Sequence, residues 1–463
     1  MSKTRQRNEK LAAVIAEAGW SHAQLALAFG RVAAERRSED QAGVGRSHVS
    51  HWVAGSRPSG AAPGILVETL SRRLGRPITA DEIGLTQLTL SPILDWNADT
   101  LTALVDLGRS TLDVERRSVL RAAGYSVAGL AIPDQTWWDH LADRSAKRTV
   151  SRGRLVGAGD LEAVRETVQL FTRIDQRRGG GHARAAVVQY LTSDVAGYLR
   201  ASYTDDGVRK SMFSTAGELA YLVGWMAFDN SEHAIAQQYF AVAVKLAAEA
   251  DDAPLAGHIL RAMAHQAVDL GHHRQAVKVA EASLDGRRYQ DASPRERALI
   301  GVVQARALAV DGQRTAAARA LLRAEKDLAS AEAGDDEPGR VFFFGEASLA
   351  HETACTLRDM GDLAMATKQF QHSVRTRKAA TFTRTHSVTL GYLGAVQARS
   401  GNIEEACGTW SEALDAMDGV HSGRARQAVR DMRSSLSVYR PKGIRSVAEL
   451  DTRAARYLAS VDR

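Results

Sequence analysis

Between residues 46 and 58 the chain reads Arg-Ser-His-Val-Ser-His-Trp-Val-Ala-Gly-Ser-Arg-Pro. Val49 and Trp52 are three apart, so they share one side of a helix, while Arg46, Ser47, Ser50 and His51 fall on other faces. Gly55 can take the left-handed conformation that ends a helix, and Pro58 stops any continuation. The pattern predicts a short helix with an apolar back, a hydrogen-bonding front and a basic exit loop. Such a helix can read base edges in a major groove. A surface helix with no ligand would carry the same pattern.

Other chemistry is hard to assemble from the residues. There is no nucleophile elbow, and Gly179-Gly180-Gly181 lacks the Gly-Lys-Ser/Thr that completes a phosphate-binding loop. His258, His265 and His272 recur every seven residues, which on one helix sets neighbours about 10 Å apart. That is too far for one zinc ion. Cys355 and Cys407 sit in apolar helical patterns and read as buried free thiols. No catalytic residue, metal site or cofactor is expected, and an enzyme reading finds no support.

The elements that would position the reading helix are short. Leu11, Val14, Ile15 and Ala18 share a helical face that Gly19 ends. Ser21 can cap a second helix with Leu25 and Phe29 on its apolar side. The stretch 31–44 reads as an extension of that helix and then a loop. Ile65 to Leu74 forms a fourth helix and Asp81 to Leu85 a short fifth. Residues 1–90 hold twelve Lys/Arg against eight Asp/Glu, a surplus that favours a phosphate backbone weakly.

Ser21, Leu25 and Ala26, followed by Val49, Ser50, Trp52, Gly55 and Pro58, resemble the Cro/C1-type helix-turn-helix domain of the XRE family. The resemblance covers about residues 6–87, with an insertion at about 31–44 where the family joins its two helices through a few residues. It implies double-stranded DNA as partner. Arg46, Ser47, His48, Ser50 and His51 would lie at the base edges, and His22 and Arg57 at phosphates.

Residues 88–155 read as a helical connector. Within it, Arg116-Arg117 and the apolar run after them imitate an export signal but read as a buried helix. Trp137 and Trp138 adjoin, so they cannot share one helix face; one could anchor an interdomain contact, or both could be partly buried core.

From about 156 to 463 the chain is Ala- and Leu-rich and self-similar. Gly224, Ala236, Phe240 and Ala243 share offsets with Ala264, Ala276, Ala280 and Ser283. The pattern recurs from Ala305, Ala354 and Gly394, and a turn residue follows each first member by seven: Ser231, Gly271, Gly312, Gly361, Gly401. These offsets resemble tetratricopeptide repeats, stretched beyond their usual ~34 residues. The stretch AEAGDDEPGR, residues 331–340, reads as an exposed loop.

In such a solenoid the first helix of each repeat lines the concave face. Counting along the pattern places Trp225, Arg261, His265, Arg306, His351, Arg358 and Arg399 there. That groove would suit a peptide or a small anionic effector. The fold class expected is therefore all-α: an N-terminal five-helix head, residues 1–87, and a C-terminal α-solenoid.

The two-part layout resembles actinobacterial transcription regulators, and more broadly Gram-positive peptide-responsive regulators, in which repeat-helix asparagines hold a peptide backbone. Here Arg and His stand at the groove positions. The resemblance implies a homodimer reading a two-part operator, modulated through the solenoid. The alternative is a repeat scaffold whose head pairs only with proteins.

The chain has 463 residues, 44% of them hydrophobic, and a formal charge of +6, which permits nucleic-acid binding without requiring it. Two cysteines cannot build a disulfide framework. The opening residues lack the apolar run of a signal peptide, and no uncharged stretch approaches membrane-spanning length. A cytoplasmic protein, nucleoid-associated when bound to DNA and with no membrane partner, is expected.

Overall fold

A computed structural model describes residues 7–35, 41, 43–76, 78–85, 94–113, 125–146, 154–332, 337–442 and 444–461. Within them the chain is all-α apart from one parallel pair of two-residue strands, β1 (Leu155–Val156) and β2 (Ser202–Tyr203), in register Leu155↔Ser202. No helix among the described residues is long and apolar enough to cross a membrane.

Four helices form the head: α1 (Glu9–Glu17), α2 (His22–Glu35), α3 (Arg46–Val53) and α4 (Ala62–Leu74). Asn8 caps α1 by accepting from the Leu11 N–H at 3.0 Å. Ser21 and Gln24 cap each other's backbone at the start of α2 (2.8 and 3.3 Å). Leu11, Val14, Leu25, Phe29, Val49, Trp52, Ile65 and Leu70 meet in one core separate from the solenoid's. The expected fifth helix is instead a hydrogen-bonded turn, Gly84 N–H to Asp81 O and Leu85 N–H to Ala80 O. Gly84 there has φ +67°, which a continuing helix forbids.

The connector contributes α5 (Thr100–Leu112) and α6 (Gln135–Ala146). It is no independent unit. Leu101, Leu104, Leu107, Tyr125, Val127 and Leu130 belong to the same buried cluster as the repeat helices. Residues 125–127 are not helical and 128–130 form one 3-10 turn, so this part of the expected buried helix is absent; Arg116 and Arg117 lie outside the described residues. Both tryptophans are half-buried. Trp137 donates to Trp96 O at 3.1 Å, and Arg288 lies 5.0 Å over Trp138. The expected boundary at 155/156 falls inside β1.

The repeats open with α7 (Ala158–Arg178) and α8 (Gly180–Tyr190). Five antiparallel pairs follow. They are α9 (Asp206–Asp229) with α10 (His233–Glu249), α11 (Ala253–Asp269) with α12 (His273–Ser283), α13 (Pro294–Val310) with α14 (Arg314–Ala329), α15 (Glu346–Asp359) with α16 (Leu363–Thr376), and α17 (Thr383–Arg399) with α18 (Ile403–Ala416). Two helices close the chain, α19 (Gly423–Ser437) and α20 (Arg445–Val461).

The recurring small residue is where each pair touches. A Cβ on Gly224 would sit 2.7 Å from the Phe240 ring, and one on Gly394 would sit 2.5 Å from the Trp410 ring. Every pair turns at the expected position with a left-handed residue, Ser231, Gly271, Gly312, Gly361 or Gly401, at φ between +63° and +88°.

The solenoid closes on itself. α7 packs against α17 as well as α9. The Gly179–Gly181 turn lies against far segments: a Cβ on Gly180 would be 2.2 Å from Met226 O, and the Gly181 N–H donates to His421 O at 2.9 Å. These glycines therefore serve close backbone approach, not phosphate binding.

Candidate functional site

On α3 the side chains divide as the spacing predicts. Val49, Trp52 and Val53 are buried, with the Trp52 ring 5.5 Å from Phe29 of α2. Arg46, Ser47, His48, His51 and Arg57 are exposed. His48 has a local task as well: its Nδ1 accepts from the Gly45 N–H at 3.2 Å, closing the first turn. Gly55, at φ +101°, ends the helix.

Two of the expected contact residues meet each other. His22 Nδ1 and Ser50 Oγ are 2.9 Å apart and half-buried. The Ser50 side chain thus meets the start of α2. The pair clasps the two helices.

The second site is a cavity of about 930 Å³ lined by α7, α9, α11, α13, α15, α17, α19 and the segment Glu337–Phe344. The segment expected as an exposed loop thus has its 337–340 end in the cavity wall. Residues 333–336 lie outside the described residues. Of the seven groove residues expected, Trp225, Arg261, His265 and His351 line the cavity.

Arg306, Arg358 and Arg399 do not line it. Arg306 lies behind the wall, bound to His265 Nε2 (2.7 Å), Glu352 (3.1 Å) and Asp269 (3.4 Å). Arg358 folds onto Asp359 and the Tyr392 ring. Arg399 ends α17 and is exposed. Counting along each repeat gave them a common face, but Arg306 is drawn onto Glu352 and Asp269, and Arg358 and Arg399 stand in the last turns of α15 and α17.

The residues that dominate the cavity electrostatically were not singled out by the pattern. Arg384 of α17 bridges Asp175 and Asp229 at 3.2 Å each. Arg424 pairs with Asp229 at 3.2 Å and lies 4.9 Å over both Trp225 and Phe228. Asp229 also accepts from the Gly180 N–H and Ser422 Oγ, both at 3.0 Å. Burial pushes Asp229 up, but Arg384, Arg424 and the Gly180 N–H outweigh it and leave the carboxyl below its ordinary range. Asp175 has fewer partners, and burial pushes it up to about 6.

Nearer Glu337, Arg340 holds Glu296 and, at 3.1 Å, Glu218. Arg384 and Arg424 are each the second residue of their helices, and no local periodicity marks them. Nothing in the spacing pairs them with carboxylates about two hundred residues away.

No group of His, Cys, Asp and Glu among the described residues could hold a metal ion. Cys355 and Cys407 are buried free thiols.

The head is docked, not tethered loosely. Glu68 of α4 accepts from the Val127 N–H at 2.8 Å, and Ser126 is held in turn by Gln237 of α10. Tyr125 stacks on His272 at 5.4 Å, and Lys278 of α12 donates to Gly75 O at 3.3 Å.

Compared with known proteins, residues 11–86 match the family model described as the SP15 N-terminal domain, a span that coincides with the head. No curated protein and no solved structure matches the chain.

Proposed function

We propose that this protein is a sequence-specific DNA-binding transcription regulator whose α3 reads a major groove and whose solenoid senses an effector. The observation that carries the reading is the division of α3. Its apolar side is locked to α2 through Trp52 and Phe29, while Arg46, Ser47 and His51 are exposed with Arg57 at the exit. An exposed polar helix face beside a basic loop is what base-edge and phosphate contacts require.

One such head reads a few base pairs, so specificity calls for two. A homodimer on half-sites about 34–36 Å apart is the arrangement that fits. The contact of α4 with residues 126–127, which Gln237 of α10 holds, and of Gly75 with Lys278 of α12 would supply the mechanical link between solenoid and head.

The test is retention of the full chain on immobilised random-sequence duplex across a salt series, followed by a genome-wide map of bound sites. Steep loss of binding with salt and a recurrent two-part motif are expected. Sedimentation of the full chain checks the dimer. A protein-docking head is the competing reading, because Leu27 of α2 is 63% exposed and offers an apolar handle. Salt-independent or absent DNA retention selects it.

A further inference from the structure

Two arginines of the cavity stand apart from the rest. Arg261 on α11 is 2% exposed and Arg377, just past α16, is 7% exposed. Both line the cavity. The other buried arginines of its wall face carboxylates: Arg340 has Glu296, and Arg384 and Arg424 have Asp229. Arg261 has Tyr221 OH at 2.8 Å and His258 Nε2 at 3.2 Å. Arg377 has Ala347 O at 2.9 Å, Ser373 Oγ at 3.1 Å and Ser348 Oγ at 3.4 Å. Neither forms an ion pair with a described carboxylate, and the Nε–H of each has no acceptor.

A buried cation with no ion-pair partner is disfavoured, because burial strips its hydration without an opposite charge in direct contact. Around Arg377, burial and a neighbouring cation outweigh the pull of Glu352. Burial first, and then Arg384, push Arg377 down to about 10. His351 is held well below its ordinary value by burial and then by Arg377. The Trp225 ring lies 5.4 Å from the Arg261 guanidinium, so the same wall offers an apolar aromatic surface beside the cation. A volume of about 930 Å³ is that of a small-molecule site.

We infer that the cavity takes a small amphipathic carboxylic acid, with Arg261 and Arg377 supplying the positive charge for its carboxylate and Trp225 and Tyr221 a surface for its apolar body. Guanidinium groups hold carboxylates through charge-assisted hydrogen bonds, stronger than neutral ones. The inference names the ligand class of the sensor proposed above and rests on that reading only for its effect on DNA. Binding itself is measured without DNA, so the two can fail separately.

The experiment is calorimetric titration of the full chain with 2-naphthoate and with its neutral isostere, naphthalene-2-carboxamide. Naphthoate should bind one per chain, and the amide at least tenfold more weakly. Arg261→Gln and Arg377→Gln should each weaken naphthoate tenfold or more and leave the amide unchanged. Arg261→Lys and Arg377→Lys, which keep the charge, should recover part of the loss. Circular dichroism of each variant checks that it is folded.

A short peptide ends in the same chemistry. Leu-Phe with a free carboxyl, bound more tightly than naphthoate and lost in the same variants, would support the arginine pair and assign a peptide source. Equal affinity for naphthoate and its amide, equal loss of both in the Gln variants, or no naphthoate binding at millimolar concentration overturns the inference.

Discussion

Glu68 of the head and Ser126 of the connector are 58 residues apart in the chain, yet the Ser126 hydroxyl donates to the buried Glu68 carboxylate at 3.1 Å. The same carboxylate takes the Val127 N–H and, on its other oxygen, Arg72 at 2.8 Å. It is the polar centre of the contact that holds head to solenoid. Glu68→Ala leaves these buried donors unsatisfied, so it should cost about 2–4 kcal/mol. Urea unfolding followed by fluorescence measures this. A variant within 0.5 kcal/mol or so of the parent would show the contact to be incidental.

Trp52 and Arg46 sit on opposite faces of α3 and should fail differently. Trp52→Ala empties the buried contact with Phe29 and should cost about 3–5 kcal/mol of stability. Arg46→Ala touches no buried group and should leave stability within about 0.5 kcal/mol. On the best operator found, the same Arg46→Ala should lose about 1–3 kcal/mol of affinity. Arg57→Ala should weaken all sequences alike and flatten the salt slope. Unchanged operator affinity in Arg46→Ala sinks the base-reading assignment.

Stability should fall on mild acidification. Burial first, and then Arg261, hold the His258 ring down at about 4, although Glu296 pulls the other way. The unfolded chain therefore takes up this proton first. The contribution is whole above about 6.5 and is lost as pH falls towards 4. His265 and His351, both also held low by burial and neighbouring arginines, act with the same sign.

Asp175, raised to about 6, acts oppositely between about 6 and its ordinary 3.8. At pH 5 the loss from His258 is about 2 kcal/mol and the gain from Asp175 about 1 kcal/mol. The three histidines should win, so the urea midpoint should drop between pH 7 and pH 5. His258→Gln should drop less. A midpoint that rises on acidification contradicts the assignment.

Gly312 turns α13 into α14 at φ +84°, with open space where a Cβ would be. Gly312→Ala thus isolates backbone strain from packing and should cost about 1–2 kcal/mol. Thermal unfolding gives the comparison. Ala305→Gly, at the buried pair contact six residues before α14's turn begins, would test packing in the same repeat.

Much was decided by the sequence alone. The division of α3 follows from residues three apart on one helix, and the pairing of Gly224 with Phe240 and of Gly394 with Trp410 follows from a repeated offset. The left-handed turns recur at a constant distance. All of these are local, and local periodicity encodes them.

The closure of the solenoid, the Arg384 bridge to Asp175 and Asp229, the Glu68 dock and the clasp of His22 on Ser50 were decided only by the tertiary structure. So was the choice of Trp225, Arg261, His265 and His351, but not Arg306, Arg358 or Arg399, for the cavity wall. Each depends on how small rotations between successive helix pairs add up over the superhelix. A one-dimensional pattern holds the rotation of no pair, and so cannot say which far ends meet.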